Sequence, residues 1–314
     1  MKIPATLKTS VIAIALISIA HSTHSHADEL PRLDEAVTWY NQAAVRNFAP
    51  VFDFDSDGCY PATPFNKNNN LSQNNGLDAA WSTPWGNCRD AGWEQFANTI
   101  HRQICHTSSN GEPLKCAHFY ELYFEKDQAV HWSFLGGHRH DVETVIVWTI
   151  KQGSSESITH VSTSAHGNYD TRAFANVLQQ NGHPMVVYHK DGAGTHAFRF
   201  ANQQDKENVE FQGNWGVFYT PQILSHYRAA ASYQSTSWDR YWANRRYREA
   251  LAQSNFGSAS FKTRSDNVLI DQANAAKPTD EVWQSMQFNT NDVEQTKRAE
   301  FSANYADIAS EINE

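Results

Sequence analysis

Cysteine is scarce in this chain. Four occur among 314 residues, Cys59, Cys88, Cys105 and Cys116, and none forms a C-x-x-C pair. That spacing gives no support to a cysteine zinc site. A Gly-x-Ser-x-Gly elbow, a phosphate-binding glycine loop and a dinucleotide fingerprint are also missing, which removes the usual motif-level signs of a serine hydrolase, a nucleotide hydrolase and a dehydrogenase. Positive charge is in deficit, with 25 Lys and Arg against 34 Asp and Glu, a formal charge of −9. This opposes nucleic acid as the main partner, and it opposes simple charge-driven adsorption to an anionic membrane. No internal repeat is present. What the chain does have is length and apolar content. At 40% hydrophobic and 12% aromatic residues it can bury a full core, as one large domain or two small ones.

One apolar run stands out, Val11–Ala20, and it is too short to span a bilayer. Lys2 and Lys8 give it a positive start, and Ser25-His26-Ala27 offers small residues before a cut. Residues 1–27 therefore read as a secretory signal, and the product is expected to be secreted and extracellular. His21, His24 and His26 resemble a metal tract but leave with the signal. Processing takes the charge from −9 to −11, since Lys2 and Lys8 are lost and no acid is. In an oxidising compartment the four cysteines imply two disulfides. Three connectivities are possible. Sequential pairing, Cys59–Cys88 and Cys105–Cys116, keeps both loops local and is favoured. The shorter loop is worth roughly 3 kcal/mol in the chain-entropy view.

Along the chain, Leu33–Phe48 has helical spacing, and the Asn-rich stretch Asn66–Gly76 reads as an exposed loop. From His118 the pattern turns to strands: His118–Phe124, Thr144–Ile150, Ser157–Thr163, Met185–His189 and His196–Phe200, with glycine-bearing turns between them. Pro221–Gln253 reads as helix, broken near Ser235-Thr236-Ser237, with Pro221 in a first helical position. Lys277-Pro278 marks a boundary, after which residues 277–314 look like a polar appendage. The coarse picture is a β-sandwich core with helices beside it.

The densest chemistry is Gly136-Gly137-His138-Arg139-His140-Asp141-Val142-Glu143, which runs straight into the strand Thr144–Ile150. In a regular strand His138 and His140 face one way, Asp141 and Glu143 the other. For His138 and Asp141 to share one ion the run must leave strand geometry, so Gly136–Asp141 is read as a loop bent at its glycines. Carboxylates with one or two imidazoles suit Mg²⁺ or Ca²⁺, while two histidines and an acid also suit zinc. A salt-bridged turn that binds nothing is the plain alternative. A second acidic run, Asp53-Phe54-Asp55-Ser56-Asp57-Gly58, opens like a calcium loop. Its twelfth position is Pro64 and not Glu, so an EF-hand is rejected; a non-standard calcium site and an acidic turn stay open. Ser162 and Ser164, near His166, are read as sheet residues and not as nucleophiles. The tryptophans of Trp81–Trp93 and Trp238–Trp242 could stack on sugars or dip into an interface, and by default are read as packing residues; Arg240–Arg248 could form a local anion site and is read as a solvated helix face.

The run Gly137–Glu143 resembles the heptapeptide GHRHDWE of the necrosis- and ethylene-inducing (Nep1-like, NPP1) proteins. Ala117-His118-Phe119-Tyr120-Glu121-Leu122-Tyr123-Phe124-Glu125-Lys126-Asp127 is similar to that family's other signature. Asp57-Gly58-Cys59-Tyr60-Pro61, Ser164–Tyr169, Gly194-Thr195-His196-Ala197 and Phe256-Gly257-Ser258-Ala259 resemble further family blocks, in order, between Leu33 and Ala276. Four cysteines resemble the type 2 subgroup, which carries two disulfides.

The resemblance implies an α+β, mainly β fold: an antiparallel β-sandwich flanked by helices, similar to actinoporins and fungal lectins, spanning residues 28–276. It implies a secreted cytolytic toxin and not an enzyme. Such a toxin binds the glycosylated head group of plant inositol phosphorylceramide sphingolipids through a divalent cation, Mg²⁺ or Ca²⁺. Asp127 and His138 would hold the cation, and Asp141 and Glu143 would hold its waters or complete its shell. His196 would meet the sugar, with Arg139, His140 and His166 as further head-group contacts. The partner is then a membrane surface met peripherally, and the chain is expected to act as a monomer. Val142 stands where the heptapeptide has Trp, and the gap from Asp127 to His138 is longer than usual and contains Trp132 and Phe134. A metal-dependent secreted hydrolase using the same cluster, with water activated by the ion, and a non-lytic sugar-binding lectin are the rival readings.

Overall fold

The computed structural model describes residues 42–312, except 68–69, 80–82, 107–113, 134, 136, 193–194, 211–217 and 228–235. The expected leader with its histidines, the first part of the Leu33–Phe48 helix, Trp81, Phe134, Gly136, Gly194 and Ser235 lie outside the described residues. The strands are β1 (Val51–Phe54), β2 (Phe65–Asn66), β3 (Ser72–Gln73), β4 (Asn98–His106), β5 (Leu114–Asp127), β6 (His138–Gln152), β7 (Ser155–Ala165), β8 (Asn168–Ala173), β9 (Gln179–Gln180), β10 (His183–Asp191), β11 (Thr195–Phe200) and β12 (Gln222–Ser225). The helices are α1 (Gln42–Phe48), α2 (Gln203–Glu207), α3 (Ser237–Gln253), α4 (Asp266–Ala276), α5 (Glu281–Gln284) and α6 (Thr290–Asn304).

Two sheets face each other. One has six strands in the order β12-β4-β5-β6-β7-β8, and the other is built on β1-β10-β11 with β9 beside β10. Between them lies an apolar layer. Tyr120, Leu122, Phe124, Val145, Val147 and Val161 of the large sheet meet Phe52, Phe54, Val186, Tyr188, Phe198 and Phe200 of the small one. The β-sandwich flanked by helices is thus the observed architecture. Pairing is antiparallel except at β1–β10 and β12–β4, which are parallel. The expected disulfides, Cys59–Cys88 and Cys105–Cys116, both form.

The central strands β5 and β6 are buried on both faces, which is why they read as continuous apolar runs and not as alternating ones. Their outer face is covered by helices. Tyr123 and Val142 pack with Tyr247, Leu251 and Phe256, while Phe119, Ile146 and Trp148 pack with Leu269, Trp283, Met286, Phe288 and Val293. Residues beyond Pro278 therefore supply part of the sheet's cover. Trp283 is fully buried, edge-on to Trp148 at 5.2 Å.

Two local expectations are corrected. Pro221 does not open a helix. It precedes the edge strand β12, where a residue without an N–H is tolerated, and its carbonyl accepts from the Thr99 hydroxyl at 3.0 Å. Among the described residues of this stretch helix begins at Ser237, capped by the Thr236 side chain. The Asn-rich stretch is not wholly exposed either. It contains the β2–β3 hairpin, and Asn74 is buried, donating to Thr63 O and Glu125 Oε1 at 3.1 Å each. Among the described residues no helix is long and apolar enough to cross a membrane.

Because Trp283 fills the cover of the large sheet, Trp283→Ala is expected to lower stability by about 3–5 kcal/mol in chemical denaturation. A loss below about 1 kcal/mol would show that the C-terminal helices are not part of this core.

Candidate cation and head-group site

The site forms where β5 ends and β6 begins. Asp127 and His138 are direct partners in the β5–β6 register, as are Phe124 and Asp141. Strict alternation would put His138 and Asp141 on opposite faces. Alternation is broken at His140, whose φ is +63°. The glycine-bent loop expected over Gly136–Asp141 is accordingly not observed as such: the strand starts at His138, and the reversal sits at His140. The left-handed residue turns His138 to the face of Asp141, and ligand atoms of Asp127, His138 and Asp141 lie within 4.8 Å of one another.

Hydrogen bonding settles which atoms face this centre. His138 Nδ1 is 2.7 Å from the carbonyl of His140; a carbonyl only accepts, so Nδ1 carries the proton. Nε2 then faces Asp127 Oδ2 across 3.8 Å, too far for a hydrogen bond, and in the neutral ring this nitrogen offers a lone pair. Asp127 Oδ1 is already used. It accepts from the backbone N–H of His196 at 2.9 Å and from His196 Nδ1 at 2.8 Å. Asp141 accepts from the Tyr188 hydroxyl at 2.9 Å through Oδ2, and Glu143 accepts from the Ser164 hydroxyl. An imidazole nitrogen and two carboxylates converging in this way form a donor set that fits a hard divalent ion. The His138 side chain is 30% exposed and that of Asp127 2%, so the centre opens towards solvent on the histidine side.

Electrostatics fit the same reading. Burial, with the nearby Asp127 charge, raises the Asp141 pKa to about 6. Burial and the Asp141 charge push Glu143 well above its usual value. Three buried acids thus repel one another unless a positive charge arrives. One is built in. Burial opposes charge on His196, but hydrogen bonds to Asp127 and Asp57 outweigh it and raise its pKa to about 9. Its Nε2 lies 3.2 Å from the Asp57 carbonyl and 3.6 Å from Asp57 Oδ1. Gly58 is required here, because a Cβ would stand 2.9 Å from the His196 ring.

The other expected residues fall differently. Arg139 is half-exposed on the rim, donating to Asn75 O at 2.8 Å and pairing with Asp78. His166 is exposed on the β7–β8 turn, bridging Asp191 at 2.9 Å and Thr195 at 3.1 Å, beside His196. His140 points to the opposite face of the sheet. There it meets the Tyr123 hydroxyl at 2.7 Å and the edge of Phe256, away from Asp127 and Asp141. With the second imidazole turned away, the two-histidine zinc set does not assemble. Val142 also faces the helices, away from the acids.

The run Asp53–Gly58 does not converge on an ion. Asp53 accepts from Glu210 N, Asp55 pairs with Arg199 and Asp57 with His196. Tyr188 and Asp57 are the site residues that sequence reasoning missed. Tyr188 read as a plain strand residue, yet it stacks on Phe124 at 3.8 Å and on His196 at 5.1 Å. Asp57 stood out only within the acidic run Asp53–Gly58 and the family block around Cys59, with nothing local to link it to His196.

The family profile described as Necrosis inducing protein (NPP1) matches residues 42–276. Necrosis-inducing protein NPP1 of Phytophthora nicotianae is 27% identical over 265 residues, covering 84% of this chain and 94% of that protein. NLP effector protein 10 of Phytophthora capsici is 30% identical over 200 residues, covering 62% and 78%. Among solved structures, the non-toxic HaNLP3 protein superposes with a TM-score of 0.58 at 21% identity, covering 81% of this chain and 99% of that one. NLPPya in complex with mannosamine superposes with a TM-score of 0.54 at 23% identity, covering 80% and 97%. The structural likenesses establish the fold.

The His196 pKa carries a stability prediction. Folding raises it from 6.5 to about 9, so its contribution is complete below pH 6.5 and lost as pH rises through 9. In chelated protein the stability advantage over His196→Gln is expected to shrink by about 3 kcal/mol between pH 6 and 9.5 in denaturant titrations, the other titrating groups being common to both. A difference that stays constant across that window would show that His196 is not the charged partner of Asp127.

Proposed function

Since the chain belongs to the necrosis-inducing protein (NPP1) family, we propose that it is a secreted, non-enzymatic cytolysin. In this reading Asp127, His138 and Asp141 hold a divalent cation, Mg²⁺ or Ca²⁺, with Glu143 behind them. The ligand is the glycosylated head group of plant inositol phosphorylceramide sphingolipids. The observation that carries the proposal is the placement of His138: with Nδ1 bonded to the His140 carbonyl, its Nε2 faces the second oxygen of Asp127 across a gap that a cation, and not a hydrogen bond, would bridge. NLPPya with mannosamine and NLPPya with glucosamine, both similar in fold, support a sugar as the recognised group. The two disulfides and the effector names of the relatives support export.

Each residue then has a defined task. A bound cation supplies a positive centre able to accept sugar or phosphate oxygens. Asp127 offers it one oxygen while the other is held by His196, so the carboxylate cannot swing away. Tyr188 fixes Asp141 by a hydroxyl donated to Oδ2 and by stacking on Phe124. Ser164 caps Glu143. His196, buried and clamped between Asp127 and Asp57, keeps a positive charge beside the acids. His166 and Arg139 form polar rims within reach of a larger head group.

Asp127→Asn and Asp141→Asn are expected to stay folded and to lose at least about tenfold in calcium affinity by calorimetry. Both should release no dye from vesicles containing plant glycosylated inositol phosphorylceramide, and chelator should do the same to the unmodified protein. Dye release that survives both variants and chelator would sink the reading. Glycan binding without dye release would select a lectin, and chelator-sensitive turnover of a phosphodiester or glycoside would select a hydrolase.

A further inference from the structure

Large apolar side chains that stand out from the described surface are few: Trp85, Trp132, Leu135, Trp242 and Val282. Three of them share two loops next to the site. Trp132 is 64% exposed, Leu135 72% and Trp85 39%. The loop carrying Trp132 and Leu135 leaves directly from Asp127 and returns at His138, so both of its ends are candidate cation ligands.

The described residues of these loops make several specific contacts. Trp85 meets the His131 ring edge-on at 4.9 Å. The Lys126 ammonium joins them, donating to Thr83 O at 2.8 Å and Gln128 Oε1 at 3.1 Å. The Gln128 amide in turn donates to Val130 O at 3.0 Å, and the Leu135 N–H to Ser133 Oγ at 3.0 Å. Cys88 ties the Trp85 loop to Cys59, which follows the Asp57-Gly58 pair under His196. Trp132 itself has a φ of +54°, a conformation a bulky residue adopts only when its surroundings impose it.

Composition indicates what this surface meets. In a chain 19% charged, Gln128–Gly137 contains no Asp, Glu, Lys or Arg. A protein or glycan partner is ordinarily met through a rim with charge, whereas the head-group boundary of a bilayer favours Trp and Leu without charge. The position favours a bilayer as well, because the acyl region begins just beyond the lipid head group assigned to the adjoining site. Resting on that head-group reading, we propose that Trp132 and Leu135, with Trp85 beside them, form an apolar wedge that enters the head-group boundary of the bilayer. Head-group recognition and membrane partition then belong to adjoining but separable elements.

The test uses full-length protein and the double variant Trp132→Ser/Leu135→Ser. Sedimentation is measured with phosphatidylcholine vesicles with and without plant glycosylated inositol phosphorylceramide, and calcium affinity by calorimetry. The double variant is expected to keep calcium affinity within about twofold and to lose about tenfold or more in vesicle partition, as removal of two interfacial apolar side chains requires. Unchanged partition of the variant would overturn the wedge and leave the head-group reading intact. Parallel loss of calcium affinity would also overturn it, by making the loop part of the cation site. Equal binding of the unmodified protein to both vesicle types, lost in the variant, would support the wedge and overturn the head-group reading.

Discussion

The site depends on one backbone reversal, the left-handed residue His140 in β6. Without it His138 would lie on the helix-covered face of the sheet, and Asp127 and Asp141 would have no imidazole between them. The reversal is held from several sides. Tyr123 bonds the ring, Phe256 packs its edge against it, and Gly76 leaves the space it needs, since a Cβ there would come within 2.5 Å of Nδ1. His140 therefore serves by pointing away. Its buried ring anchors a turn whose product is the position of another histidine, and burial accordingly lowers its own pKa to about 4.

From that reversal the rest of the arrangement follows by charge. Three acids are brought under cover at one sheet end, and the fold answers with a doubly bonded imidazolium at His196, a tyrosine hydroxyl and a serine hydroxyl. These groups orient the carboxylates more than they neutralise them. The negative balance of the whole chain has the same sense. It opposes adsorption to an anionic surface, and a bound cation with an uncharged wedge offers a route to a membrane that does not rely on bulk attraction.

Much of this was legible in the sequence. The β-branched run Thr144–Ile150 and the aromatic run His118–Phe124 became the two central strands because both faces of each are buried. Local pairing of the four cysteines held, since each loop closes within one neighbourhood of the fold. The heptapeptide located the acids. Less legible were contacts made across the sandwich. Tyr188 and His196 lie on the opposite sheet from Asp127 and Asp141, and no local spacing connects them. The reversal at His140 was not legible, because alternation predicts a direction only while φ stays negative. Pro221 was misread because its edge-strand role depends on pairing with β4, far away in sequence. The hydrophobic residues after Pro278 were hidden in a polar stretch, and only tertiary packing reveals Trp283 as a core residue.

The central claim is that one divalent cation sits among Asp127, His138 and Asp141. Anomalous diffraction from crystals soaked in Mn²⁺, as a visible stand-in for Mg²⁺ or Ca²⁺, tests it most directly. The account predicts a single strong peak within bonding distance of Asp127 Oδ2 and His138 Nε2. A featureless map at that position, with Mn²⁺ bound elsewhere or not at all, would contradict it.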